Sequence, residues 1–208
     1  MKCRPIIAIL RGIKPIEAES VSEILIDSGI KIIEVPLNSP SPLETLSRMV
    51  NFHGEAGIFG AGTVLNTSQV AEVHKTGAKL IVSPNTNPFV IKKTKELGML
   101  SIPGCYTATE ALMSLENGAD GLKFFPAFQM GAPGFQALSA ILPLQVMSFA
   151  VGGIDIKDFE KWISVNITGF GLGASLYKPG LDLINIRKKT KEIIKAFDEV
   201  NNNRLINI

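Results

Sequence analysis

Three side chains in this sequence have the types and settings to form and manage an imine. Lys123 lies in the apolar run Gly121-Leu122-Lys123-Phe124-Phe125-Pro126, which reads as a buried strand closed by its proline. An ammonium taken out of water loses hydration, so its pKa falls and more of it is free amine able to attack a carbonyl. The bland alternative is a lysine that lays its stem along apolar surface and keeps its charge in water. Glu34 stands in Ile32-Ile33-Glu34-Val35-Pro36. Period-two alternation puts Ile32, Glu34 and Pro36 on one face and Ile33 and Val35 on the other. A carboxylate on an inward face is costly unless it is paired or used. It serves either as a structural ion pair with Arg11 or Lys123, or as a general acid and base beside an amine nucleophile. By the same alternation Lys123 shares its face with Gly121, which leaves room, and with Phe125, which excludes water.

These groups need a scaffold that brings residues 11, 34 and 123 to one mouth. Short β-rich runs alternate with amphipathic stretches along the whole chain, with strands predicted at 5–11, 31–36, 57–62, 79–83, 99–102, 120–125, 146–151 and 167–172. Helical spacing appears between them, for example over 15–28 and again over about 182–199. Glycines follow several helices at Gly29, Gly77, Gly98 and Gly118, where a left-handed C-cap is expected. Eight strand-helix units in 208 residues point to an α/β chain folded as one (β/α)₈ TIM barrel domain. A doubly wound open sheet would want a glycine-rich fingerprint after its first strand, and Leu10-Arg11-Gly12-Ile13 does not supply one. In a barrel the chemistry sits at the carboxyl ends of the strands. Those ends carry Arg11, Glu34, Gly60-Ala61-Gly62-Thr63, Ser83-Pro84-Asn85, Pro103-Gly104-Cys105, Lys123, Gly152-Gly153 and Gly171-Leu172-Gly173-Ala174-Ser175.

The last two of these sets are glycine-rich, so backbone N–H groups there can approach an anion closely. Barrels often hold phosphate between these two loops; the alternative is a pair of bare tight turns. Asp155, just beyond the first loop, is read as a helix N-cap. His53 and His74 are expected on the surface, and no His, Asp, Glu or Cys cluster has metal-ligand spacing, so no metal is expected. Charged residues are 19% of the chain and the net charge of +2 is spread along it, which favours neither nucleic acid nor an anionic membrane as partner. The apolar run 6–10 is too short to span a bilayer. Cys3 and Cys105 have no paired spacing and read as two reduced cytoplasmic thiols. The polar tail 201–204 reads as frayed, with the apolar residues after it packing on a neighbouring subunit or on nothing.

Taken together, Ile7-Ala8-Ile9-Leu10-Arg11-Gly12, Ile33-Glu34-Val35-Pro36-Leu37-Asn38-Ser39-Pro40, Gly60-Ala61-Gly62-Thr63-Val64, Leu122-Lys123-Phe124-Phe125-Pro126, Ala150-Val151-Gly152-Gly153 and Gly171-Leu172-Gly173 resemble the class I KDPG/KHG aldolase family, in its 2-dehydro-3-deoxy-6-phosphogalactonate branch. The resemblance covers nearly the whole chain, with the motifs in order. It implies that Lys123 forms a Schiff base and Glu34 moves protons. It further implies that Arg11, Thr63, Pro84 and Phe125 line a pocket for the pyruvate portion, and that Gly152, Gly153, Gly173, Ala174 and Ser175 hold phosphate. It implies a cytoplasmic homotrimer that needs no cofactor and acts on a phosphorylated keto-deoxy sugar acid. The gluconate-type members carry an arginine four residues after the glutamate. This chain has Asn38 there, which makes Asn38 the specificity candidate and favours the galactonate type. The loop 127–131 follows no member closely. The remaining readings are a 2-dehydro-3-deoxy-6-phosphogluconate or 4-hydroxy-2-oxoglutarate aldolase, a phosphate-binding epimerase or isomerase, and a non-catalytic sugar-phosphate-binding barrel.

Overall fold

A computed structural model of the chain describes residues 1–201 and 205–207. Nine parallel strands, β2 (Ile6–Ile9), β3 (Ile32–Pro36), β4 (Ile58–Gly62), β5 (Leu80–Val82), β6 (Leu100–Ile102), β7 (Gly104–Cys105), β8 (Gly121–Phe124), β9 (Met147–Val151) and β10 (Gly169–Leu172), pair in the order β6-β5-β4-β3-β2-β10-β9-β8-β7. The two ends of this order are two halves of one strand. Pro103 has no N–H for the ladder, so the fifth strand, predicted over 99–102, stops before it and resumes as a second half at Gly104–Cys105. Its first half pairs with β5 through Leu80↔Leu100 and its second with β8 through Gly104↔Lys123. Backbone bonds from Asp120 N to Ser101 O (3.0 Å) and from Lys123 N to Pro103 O (2.9 Å) carry β8 past the break, so the eight-stranded (β/α)₈ barrel is closed.

The helices that return the chain are α1 (Ala18–Ser28), α2 (Pro42–His53), α3 (Thr67–Lys75), α4 (Pro88–Glu96), α5 (Ala108–Glu116), α6 (Ala127–Ser139), α7 (Phe159–Ile163) and α8 (Leu183–Asn201). Their starts are set by short polar side chains. Asn66, Asn87 and Thr107 each accept a bond from a first-turn N–H, and Asp155 caps the short 3₁₀ turn before α7 as predicted. The four glycines expected to end helices all take positive φ.

Alternation sorts the core into two layers. Ile7, Ile9, Ile32, Ile58, Leu80, Val82, Ile102, Phe149 and Val151 fill the barrel, whereas Ile33, Val35, Phe59, Leu122, Phe124 and Phe170 meet the helices. In the outer layer Phe159 stacks on Phe170 at 4.5 Å and Phe135 packs on Phe124 at 4.9 Å and Trp162 at 5.9 Å. Each such buried ring contributes on the order of 1.5–3 kcal/mol. The amino end of the barrel is covered by β1 (Lys2–Cys3) pairing antiparallel with β11 (Ile206–Asn207), and Cys3 and Ile206 pack on the inner layer. Of the apolar residues after the tail, Ile206 thus returns to its own barrel, because Cys3 offers an edge and an apolar contact. Of the segment predicted to fray, Asn201 ends α8 and is buried, and 202–204 lie outside the described residues. The stretch 127–131, expected as a loop, opens α6 as helix and turns at Gly131 (φ 67°) before Pro133.

Candidate active site

Lys123 and Glu34 are brought together inside the carboxyl mouth of the barrel. Lys123 is 7% exposed and Glu34 2% exposed, so the reading in which the lysine keeps its charge in water does not hold. Burial pushes the Glu34 carboxyl up to about 7, against the pull of Lys123 and Arg11 toward the ionised form. Burial likewise pushes Lys123 down, partly offset by Glu34 and reinforced by Arg11. Both groups therefore move toward their neutral forms at neutral pH. The structural ion pair that the sequence left open for Glu34 is not formed, since no Lys or Arg nitrogen lies within 4.0 Å of its carboxylate among the described residues, and Oε2 is buried with no hydrogen-bond partner. An amine and a carboxyl of this kind, close enough to feel each other and not spent on each other, can form an imine and shuttle protons around it.

The room for that carboxyl comes from a residue to which sequence reasoning gave no role. A Cβ built on Gly62 would overlap both Glu34 oxygens. Gly62 faces Pro36 across the β3–β4 ladder, and alternation from Ile58 points Gly60 and Gly62 inward beside Glu34. Two inward glycines flanking an inward carboxylate were the signal.

Phe125 stands above the amine with its ring centroid 4.9 Å from Lys123 Nζ. At 37% exposure it is both a lid on the lysine and a wall of the mouth. The Phe125-Pro126 peptide is cis. Thr63 follows Gly62 in the left-handed region (φ 58°). That conformation costs a β-branched residue on the order of 1–3 kcal/mol, and such residues cluster at functional sites. The loop behind it is held by Ser83 Oγ donating to Val64 O at 2.8 Å. Pro84 is half-buried, and its carbonyl fills the place that a side chain on Gly104 would need. Arg11 is exposed at the end of the first strand and donates from Nη1 to Asn38 Oδ1.

The two glycine-rich turns are neighbours. Gly171 pairs with Val151 in register, which sets Gly152-Gly153 beside Gly173. Gly152 (φ 97°) abuts Phe125, and Gly153 (φ 72°) abuts Phe128, so both the backbone sign and the space exclude side chains there. From Gly173 the chain makes one helical turn, with Leu176 and Tyr177 N–H both donating to Gly173 O at 2.9 Å. This leaves the first N–H groups of the turn, at Ala174 and Ser175, without a place in it, as at any helix start. Ser175 Oγ is buried without a partner. Such a run of unused backbone donors suits an anion.

The histidines stand away from this mouth. His53, expected on the surface, is half-buried: Ser22 Oγ lies 2.8 Å from its Nε2 and its ring stacks on Phe59 at 5.5 Å, because α2 ends against α1 and β4. Cys105 is buried and its thiol is pushed up to about 12 by desolvation, then by Glu110. Among the described residues no three His, Cys, Asp or Glu side chains gather in a group that could hold a metal, and no helix is long and apolar enough to cross a membrane.

The mouth of this closed (β/α)₈ barrel thus carries a desolvated amine and a desolvated carboxyl, with two glycine-rich turns adjoining each other at the same end. The chain belongs to the KDPG and KHG aldolase family, whose model matches residues 1–196. It is 45% identical over 197 residues to a probable 2-dehydro-3-deoxy-6-phosphogalactonate aldolase of Rhizobium meliloti (strain 1021), covering 95% of this chain and 93% of that one. A solved native KDPGal structure superposes with a TM-score of 0.93 at 40% identity, covering 95% of this chain and 96% of that one. The KDPG aldolase of Legionella pneumophila, solved with pyruvate captured as a covalent carbinolamine, superposes with a TM-score of 0.80 at 27% identity over 95% of this chain and 94% of that one.

Proposed function

We propose that this protein is a Schiff-base aldolase that reversibly cleaves 2-dehydro-3-deoxy-6-phosphogalactonate to pyruvate and glyceraldehyde 3-phosphate. The observation that carries the reading is the pair of buried groups, Lys123 and Glu34, at one mouth with no salt bridge between them among the described residues. Lys123 Nζ attacks the C2 ketone, and Glu34 protonates the carbinolamine hydroxyl so that it leaves as water. The resulting iminium accepts the electron pair released when the C4 hydroxyl gives up its proton and the C3–C4 bond breaks. The aldehyde departs, the enamine is protonated at C3, and hydrolysis frees pyruvate and the amine. Glu34 gives a proton in one step and takes one in another, which suits a carboxyl held at about 7.

In this reading Arg11 binds the substrate carboxylate, and Thr63, Pro84 and Phe125 shape the pyruvate portion of the pocket. Gly152, Gly153, Gly173, Ala174 and Ser175 hold the phosphate through backbone N–H groups and the free Ser175 hydroxyl. Asn38 beside Arg11 is assigned to the choice of sugar acid. The covalent adduct in the Legionella relative supports the imine route, and the name of the Rhizobium relative supports the galactonate-type substrate. The test is pyruvate release from the galactonate and gluconate phosphosugar acids in parallel. A higher kcat/KM for the galactonate isomer supports the assignment, and a clear preference for the gluconate isomer replaces it with the related gluconate activity. We also propose that the chain works as one domain, in a homotrimer, in the cytoplasm. Buried free thiols at Cys3 and Cys105 suit a reducing compartment, and Phe128 at 67% exposure supplies apolar surface for a neighbour. Light scattering at working concentration tests the trimer.

A further inference from the structure

We infer that Asn38 is a positioning residue for Arg11, and that its being an amide and not a carboxylate is what keeps the mouth selective for an anionic 2-oxo acid; this rests on the aldolase reading above. The segment after β3 grips the segment after β2 at two points. Ser39 is buried and its Oγ accepts from Gly12 N at 2.9 Å, while Asn38 Oδ1 accepts from Arg11 Nη1. The gripping turn is itself fixed, with Leu37 N donating to Gly62 O at 2.8 Å and Ser39 N to Pro36 O at 2.9 Å. Gly12 has φ 83° and Pro179 lies against it from the other side, so the backbone that launches the arginine has little freedom.

What the guanidinium meets differs from what Arg4 and Arg48 meet. Arg4 is neutralised by both oxygens of Asp198 at 2.7 and 2.8 Å, and Arg48 by Glu19 at 3.1 Å. Arg11 has no carboxylate within 4.0 Å among the described residues, and its side-chain partner is a neutral amide oxygen. An amide orients one edge of the planar fork without cancelling its charge, and the remaining N–H groups are free to take a carboxylate with two parallel bonds. An aspartate at 38 would hold the same edge and bring its own negative charge, converting Arg11 into a pair like Arg4–Asp198. The pair is exposed, so its contribution is to geometry and charge and hardly to stability.

The experiment compares Asn38→Asp and Asn38→Ala with wild type, using pyruvate as the probe. The half-saturating pyruvate concentration is read from borohydride trapping, and the melting temperature from the same samples. Losing a charge-assisted carboxylate contact corresponds to about tenfold or more in binding. Asn38→Asp is expected to raise half-saturation by about that factor, and Asn38→Ala by less, because a free Arg11 keeps its charge and loses only its aim. The limiting trapping rate and the melting temperature move much less in both. If Asn38→Asp binds pyruvate as wild type does, or if Asn38→Ala is the more damaging of the two, the inference is overturned. If wild type itself gives no adduct, the imine reading fails separately, and calorimetric titration with pyruvate still compares the three proteins for binding at Arg11.

Discussion

Placing a methyl group at position 62 tests whether the site works through a carboxyl held in one place. Gly62 has an ordinary negative φ, so alanine adds no backbone strain, and the effect of Gly62→Ala isolates the overlap of its Cβ with the Glu34 carboxylate. Glu34 is 2% exposed, and β4 beneath it is fixed by a five-residue ladder to β3, so the strand cannot retreat. The carboxyl must swing away by about 1 Å or more, a displacement that costs a reacting group about a hundredfold in rate. Overpacking adds about 1–3 kcal/mol of destabilisation, or a melting temperature lower by roughly 2–12 °C for a chain of this size. The assay is kcat for pyruvate release at a temperature well below the melting transition, in wild-type and Glu34→Gln backgrounds. We expect Gly62→Ala to lower kcat about a hundredfold in the first and to have little further effect in the second, because the group it displaces has already lost its function. A kcat within about threefold of wild type, or an equal loss in both backgrounds, would refute the argument that Gly62 acts by housing Glu34.

Three further outcomes are expected. Glu34 is held at about 7 against an ordinary 4.5, so the folded protein keeps a proton that the unfolded chain releases, and ionisation at Glu34 lowers stability as pH rises from about 4.5 to 7. The stability of Glu34→Gln relative to wild type should therefore grow across that window, by on the order of 3 kcal/mol, and then level off, as followed by urea unfolding at several pH values; a difference independent of pH contradicts the burial account. Gly153→Ala places a Cβ against Phe128 at a position with φ 72°, so KM for the phosphorylated substrate should rise about tenfold or more while borohydride trapping of pyruvate stays near wild type. Cys105, with its thiol pushed up to about 12 and its side chain buried, should resist iodoacetamide at pH 8 in the folded protein and react once it is denatured, as counted by mass spectrometry.

Much of this architecture was legible because alternation and turn chemistry are local. The period-two pattern of Ile32, Glu34 and Pro36 against Ile33 and Val35 placed a carboxylate inside the barrel, and the run 121–126 placed an amine there too. The capping role of Asp155 and the four C-cap glycines could likewise be read from neighbours in sequence. What was not legible depends on contacts between distant segments. The split at Pro103 follows from a missing N–H, but that β6 and β7 serve different neighbours is a property of the closed sheet. His53 was misplaced because its partners, Ser22 and Phe59, come from another helix and a strand. The return of Ile206 to Cys3 joins opposite ends of the chain, which no window of sequence can display. At the mouth, the roles of Gly62 and of the Asn38–Arg11 contact arise from side chains meeting across strand ends.

Whether Lys123 is the nucleophile is decided by incubating the protein with pyruvate and borohydride and mapping the adduct by peptide mass spectrometry. A single reduced pyruvyl adduct on Lys123, absent in Lys123→Met, is expected. An adduct on another lysine, or none in a folded sample that still releases pyruvate from the phosphosugar acid, would contradict it.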